Sequence, residues 1–230
     1  MQNADILCFQ EFFESYDLKL FQANIPVLEK MGYPYHFFFP TNKIHTGTLH
    51  FGLGIFSRYP ILDSARFVHG DQENSEGLCY IDIKAGSQVY RIFTTHLESV
   101  AFGKQDYDEL GAGVPSGSVF SKLKRGYELR SGQAEMVSRQ VKSSPYPAIV
   151  CGDFNDVPNS YAYFKIKGDL QDVFLEKGSG LGRTFRFLSP TLRIDYIFAD
   201  KRFDVNQYYC PKVPYSDHYP LIADLYFSEK

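Results

Sequence analysis

Residues able to do chemistry gather where apolar runs stop. Ala148-Ile149-Val150-Cys151 ends in Gly152-Asp153-Phe154-Asn155-Asp156, and Pro158 closes the stretch. A buried strand that stops at a glycine and releases an Asp and an Asn sets an acceptor and a donor close together at a sheet end, where functional side chains are often presented. Gly152 permits a tight bend or the close approach of a ligand. Taken alone the stretch is equally a turn, because Asp and Asn favour turns. The same grammar recurs, however. Gln10-Glu11 follows an apolar run, Thr95-His96 ends another, Asp195 interrupts residues 194–198, and Ser216-Asp217-His218 precedes the last one. A carboxylate inside an apolar strand needs a cation, a histidine or a metal beside it. The recurrence therefore weighs against a set of plain turns.

The inventory is chemically coherent. Glu11 and Asp217 are hard oxygen donors of the kind that hold Mg²⁺ or Mn²⁺. No Cys/His spacing fits zinc. His96 and His218 can donate to a phosphate oxygen or move a proton. Asp195 can orient His218 and raise its basicity, and Asn155 can donate to a developing charge. Together these suit metal-assisted hydrolysis of a phosphoester by water. A serine hydrolase fits poorly without a G-x-S-x-G elbow. The glycines at 178, 180 and 182 lack the strand-to-helix setting of a nucleotide loop.

Elements must hold these groups. Residues 4–10 predict a buried strand that stops at Glu11. Residues 15–31 space Leu18, Phe21, Ile25, Leu28 and Met31 near the helical period before Gly32, and predict an amphipathic helix. Strands are expected at 35–39 and at 49–57, the second carrying Gly52 and Gly54. Residues 77–84 and 88–95 alternate around Ala85-Gly86-Ser87 and predict a hairpin. Residues 99–125 show no period before Ser118 and predict a long loop feeding a helix at 127–143. A short helix opens near Ser160, a run at 170–174 carries Asp172, and strands are expected at 194–198, 202–209 and 221–227. The fold class expected is α/β, mainly antiparallel strands in two sheets packed face to face with helices outside.

The bulk numbers fit. A chain of 230 residues is long enough for one well-buried domain over 1–230. The net charge of -3 argues against coating nucleic acid non-specifically, and leaves room for a local basic groove. Cys8, Cys79 and Cys151 lie in strand-like runs without a C-x-x-C pair, so free buried thiols are expected, favouring a reducing, cytoplasmic compartment. No apolar run is long enough to span a membrane, and residues 1–10 do not read as a signal peptide. An anchor upstream of residue 1 stays open.

In order, Gln10-Glu11, Phe56-Ser57-Arg58-Tyr59-Pro60, Thr95-His96-Leu97, Gly152-Asp153-Phe154-Asn155, Arg193-Ile194-Asp195-Tyr196 and Ser216-Asp217-His218 resemble the endonuclease/exonuclease/phosphatase superfamily. That group includes deoxyribonuclease-like nucleases, abasic-site endonucleases, neutral sphingomyelinases and inositol-polyphosphate 5-phosphatases. The resemblance runs over nearly the whole chain. It implies a four-layer α/β/β/α sandwich with the site at one end of the two sheets. It implies that Glu11 binds Mg²⁺ or Mn²⁺ and that Asp217 completes the metal or water network. Asp153 would position or deprotonate the water, Asn155 and His96 would hold the scissile phosphate, Arg58 would contact substrate, and Asp195 would pair with His218. The base stays open between Asp153 and His218.

The substrate so implied is a phosphoester, in nucleic acid, a phospholipid or a small molecule; no protein partner is expected. Lys104, Lys122, Lys124, Arg125 and Arg130 in residues 99–130, and Arg183 or Arg186, are candidates for an anionic substrate. Family members open with a strand ending in Asn that has no counterpart before Glu11. That predicts a weakened metal site and an exposed sheet edge. A non-catalytic binding or scaffold domain keeping the fold is the alternative.

Overall fold

The computed structural model describes residues 3–70, 76–100, 102–113, 116–187 and 189–228. The chain divides into two compact units, Met1–His96 with Ser143–Gly152, and Leu97–Lys142 with Asp153–Lys230.

The first unit holds β1 (Ile6–Ser15), α1 (Ile25–Lys30), β2 (Tyr35–Ile44), β3 (Leu49–Ser57), β4 (Ile61–Val68), β5 (Gly77–Ala85), β6 (Gln88–His96) and β7 (Ala148–Asp153). Strands β1, β3 and β2 form one antiparallel sheet in that order, and β4, β5, β6 and β7 are neighbours in another. Alternation along β3 assigns the faces. Leu53 and Ile55 join Phe39 in packing on Cys79, Ile81, Ile83 and Ile92 of the second sheet. Phe56 points the other way, with Phe12 and Tyr33, against Ile25 and Leu28 of α1. Burying both faces of β3 explains why its sequence is almost continuously apolar.

Gly52 sets the local geometry of β3. A Cβ there would lie 2.0 Å from the Phe39 carbonyl oxygen, so only glycine lets β2 run this close. Both neighbours of β3 bulge at this level. Phe9 pairs with Gly54 and Phe12 with Gly52, which leaves one extra residue at Gln10-Glu11. On the other side Pro40 pairs with Gly52 and Asn42 with Phe51, which leaves Thr41 extra. Bulges of this kind re-aim side chains at functional sheet ends.

The second unit holds α2 (Lys104–Gly111), α3 (Gly117–Lys142), α4 (Tyr161–Lys167), β8 (Gln171–Asp172), α5 (Val173–Lys177), β9 (Asp195–Ala199), β10 (Phe203–Tyr209) and β11 (Ile222–Phe227). β8 pairs with β9 and β10 with β11, both antiparallel. Ser160 caps α4 by accepting from Tyr163 N–H, as its position predicted. Asp172 caps α5 in the same way, through Phe174 N–H. Phe154, Tyr163, Tyr196 and Phe198 form an aromatic core with ring centroids 4.8–5.5 Å apart.

Two expected elements are corrected. Residues 15–31 are not one helix. β1 continues to Ser15 because Phe12, Phe13 and Glu14 pair with β3. The helix begins only at Ile25, where Glu14 accepts from the Asn24 and Ile25 N–H groups and Pro26 sits in the first turn. Leu18 and Phe21 are left exposed. Residues 99–125 are not a long loop, since α2 and most of the first half of α3 occupy them.

Candidate functional site

In the first unit the two bulges open a cavity of about 290 Å³, lined by Glu11, Thr41, Asn42, Ile44, Phe51, Gly52, Glu76 and His96. Glu11 has φ 53°, a left-handed backbone that a bulky L residue adopts only under constraint. Next to it the Gln10 amide donates to Thr94 Oγ1 at 2.7 Å, which pins the bulge to the end of β6. His96 closes β6 and is buried; its Nδ1 lies 3.0 Å from Glu76 Oε2. Glu76 is fixed through its carbonyl, which accepts from His69 N–H at 2.7 Å. Burial, with His96 nearby, pulls the His69 imidazole down to about 4, and its Nδ1 is buried without a hydrogen-bond partner. Glu11 and Glu76 thus line one cavity with His96, but among the described residues the group whose ligand atoms lie within 4.8 Å of one another is Asp153, Asp195 and His218.

In the second unit Asp153, Asp195 and His218 each offer a ligand atom, and these atoms lie within 4.8 Å of one another. Asp153 ends β7 and Asp195 opens β9. The Ile194 and Asp195 N–H groups both donate to the buried Thr184 Oγ1. Thr184 O in turn accepts from Tyr219 N–H at 2.7 Å, which brings His218 alongside Asp195. His218 Nδ1 donates to Asp195 at 2.9 and 3.1 Å, while Nε2 lies 3.8 Å from Asp153 Oδ2. Burial disfavours the His218 cation. The hydrogen bond and charge of Asp195, with the charges of Asp153 and Asp217, outweigh it and push the group up to about 9. His218 is therefore a cation at neutral pH, aimed at a buried carboxylate.

Asn155 sits two residues past Asp153 with φ 48°. Its N–H donates to Asp153 Oδ1 at 2.7 Å and its Nδ2 to Leu97 O at 2.9 Å. The strained backbone is held by the neighbouring Asp156, which pairs with Arg130 at 3.0 Å; both side chains are nearly fully buried. Arg130 Nη1 also donates to Glu98 O, so one guanidinium ties the segment after His96 to the segment after Asp153.

Other expected residues fall elsewhere. Arg58 donates to Asn3 Oδ1, lies 3.7 Å from Asp5 and stacks over Tyr33; it does not line the cavity. Asp217 is exposed and near Ser216 Oγ at 3.3 Å, outside the Asp153–Asp195–His218 group. Lys122 pairs with Asp106 and Arg130 is buried, so neither is a free basic contact; the side chain of Lys104 lies outside the described residues. Arg183 donates to the carbonyls of Phe185 and Arg186, and Arg186 to Ser216 O. Glu76, Thr41 and Thr184 were missed. Glu76 had a signal: an acid immediately before the apolar β5, the same strand-end grammar read elsewhere.

The fold and these groups define a mixed α/β protein with acidic and histidine clusters at strand ends. Residues 1–218 match the Endonuclease/Exonuclease/phosphatase family, and the chain belongs to it. No curated protein matches. Among solved structures, the human Nocturnin catalytic domain with bound sulfate anion aligns at 22% identity and TM-score 0.68, over 97% of this chain and 81% of that one. An endonuclease/exonuclease/phosphatase from Beutenbergia cavernae aligns at 20% identity and TM-score 0.70, over 97% of this chain and 63% of that one. The Bacteroides thetaiotaomicron mannosyl-6-phosphatase aligns at 19% identity and TM-score 0.63, over 97% and 85%. The expected α/β fold class is the one these neighbours share. Among the described residues no helix is long and apolar enough to cross a membrane.

Proposed function

We propose that the chain is a divalent-metal-dependent phosphoesterase that hydrolyses its substrate by attack of water. The observation that carries the hydrolytic reading is the Asp153–Asp195–His218 group, an imidazolium held between two carboxylates, and metal dependence is inferred from the family and from the carboxylates of Glu11 and Glu76. Family membership supports hydrolysis, and the sulfate held by the Nocturnin domain supports a tetrahedral oxyanion as ligand. On this reading Glu11 would hold Mg²⁺ or Mn²⁺, and Glu76 would add a further oxygen donor. The ion, when bound, would polarise a phosphoryl oxygen and favour ionisation of water.

The residues themselves divide the remaining work. Asp153 accepts the proton of the attacking water, because His218 already carries its proton at neutral pH. Protonated His218 stabilises negative charge on the phosphoryl group, and Asp195 keeps its ring in place. Asn155 and His96 hold phosphoryl oxygens, and Arg58 is assigned to a distal part of the substrate. The substrate class is a phosphodiester, of nucleic acid or of a lipid or small molecule. Hydrolysis of bis-p-nitrophenyl phosphate with added Mg²⁺ or Mn²⁺ tests this. Turnover should vanish with EDTA and fall by about 10³-fold or more in His218→Ala. Turnover that is indifferent to EDTA, or no turnover on diesters, monoesters, nucleic acid and phospholipid alike, would sink it.

A further inference from the structure

Leu18 and Phe21, which the sequence period places on the buried side of a helix, end up outside. Between β1 and α1 the chain makes a tight turn, with the Leu20 and Phe21 N–H groups both donating to Asp17 O. Tyr16, Leu18, Leu20 and Phe21 are 60%, 74%, 46% and 52% exposed. Ile44, at the tip of the β2–β3 hairpin, is 44% exposed. The turn and the tip form one surface. Tyr16 N–H donates to Thr48 O at 2.9 Å, the Tyr16 ring lies 4.6 Å from the His50 ring, and Ser15 and Ile44 pair with Leu49 from opposite sides. Single exposed apolar residues are ordinary, but a contiguous group marks a surface that meets something apolar.

Charge says what that something is. The chain as a whole is acidic, yet no Asp or Glu occurs between Glu29 and Asp63, and Lys43, His45 and His50 lie at the hairpin end of that stretch. Lys19 sits inside the apolar turn. The acids beside it each accept from backbone N–H groups of the turn or of α1. Glu14 is buried on the Asn24 and Ile25 N–H groups, and Asp17 accepts from Lys19 N–H. Aliphatic side chains dominate the patch, whereas stacking on nucleobases calls for aromatic planes.

We propose that this face docks on an anionic lipid bilayer, with Leu18, Leu20 and Phe21 entering the interface and Lys19 and Lys43 meeting headgroups. Ile44 belongs both to this face and to the wall of the Glu11–Glu76–His96 cavity. Docking therefore brings the cavity to the level of lipid phosphates. The inference stands on the surface alone and requires no turnover.

Vesicle co-sedimentation tests it. The chain should pellet with phosphatidylcholine vesicles containing phosphatidylserine, and less with phosphatidylcholine alone or at high salt. The double variant Leu18→Ser, Phe21→Ser should weaken vesicle partitioning about tenfold or more. Lys19→Glu with Lys43→Glu should abolish the preference for anionic lipid. All variants should keep wild-type thermal stability and wild-type hydrolysis of a soluble phosphoester, which separates loss of docking from loss of chemistry. A wild-type chain that stays in the supernatant overturns the proposal, as does equal pelleting of all variants. A soluble dimer that the Leu18→Ser, Phe21→Ser variant dissolves also overturns it, because the face would then belong to a second copy.

Discussion

The two non-glycine residues with left-handed backbone that matter most are Glu11 and Asn155, each at the point where a strand gives way to a candidate catalytic group. Such conformations cost on the order of 1–3 kcal/mol and persist where the surroundings impose them. Here the surroundings are visible: a bulge latched by Gln10 to Thr94, and a turn clamped by Arg130 on Asp156. Glu76 is the residue-scale addition to the expected set. Its carboxylate lies 3.0 Å from His96 Nδ1 and holds the orientation of the ring. Glu76→Gln keeps the shape and removes the charge. It should lower kcat/KM on a phosphoester about 10- to 100-fold with the melting temperature nearly unchanged. A kcat/KM within about twofold of wild type would show that Glu76 merely neighbours His96.

At the scale of elements, strand ends were legible because a buried strand announces itself and a polar residue at its end stands out. Residues 77–96 and the stretch from Ala148 to Asp153 were read in this way. The helices were less legible for an identifiable reason. The buried face of α3 includes Gly126, Arg130, Gln133 and Ser138 beside Val119, Ala134, Val137 and Val141, so its period is helical in burial but not in hydrophobicity. Residues 15–31 failed in the opposite sense: a helical spacing of apolar residues was present, but β1 runs to Ser15, a turn on Asp17 O follows and leaves Leu18 and Phe21 exposed, and the helix starts only at Ile25. Of the site, Asp153, Asp195 and His218 were legible as polar residues at strand ends, whereas Glu76 showed only as an acid before β5, and its pairing with His96 depends on how β5 and β6 lie together. The two glycines of β3 carry different loads. An Ala at Gly52 would meet backbone, at 2.0 Å from Phe39 O and 2.7 Å from Pro40 Cα. An Ala at Gly54 would meet only the rings of Phe56 and Phe12, at 3.1 and 3.3 Å. Gly52→Ala should therefore cost about 3 kcal/mol or more, lowering the melting temperature by roughly 6–12 °C, and Gly54→Ala clearly less. Equal losses for the two would contradict the assignment of Gly52 as the residue that admits both bulges.

At the scale of the molecule, a strongly perturbed histidine lies in each compact unit, and the two are perturbed in opposite directions. His69 of the first unit is held down to about 4, against an ordinary value of 6.5, and folds neutral. The unfolded chain takes up a proton there first, so its contribution to stability is complete above pH 6.5 and is lost as pH falls toward 4. His218 of the second unit is pushed up to about 9 and folds charged. Its contribution is complete below pH 6.5 and is lost as pH rises through 9. The His69 shift corresponds to about 3 kcal/mol at the acid extreme. The His218 effect should be smaller than its shift alone would give, since 27% of that side chain is open to solvent screening. Carboxylates also titrate on the acid side, so the readout is the difference between wild type and variant rather than the absolute profile. Melting temperatures of the metal-free chain between pH 4 and 10 should show a shallower acid limb in His69→Asn, with the alkaline limb unchanged. In His218→Asn the alkaline limb should flatten and the acid limb should stay. If His69→Asn altered the alkaline limb instead, the burial-driven neutrality of His69 would be wrong. If neither variant changed either limb, the two units would owe their pH dependence to carboxylates and thiols alone.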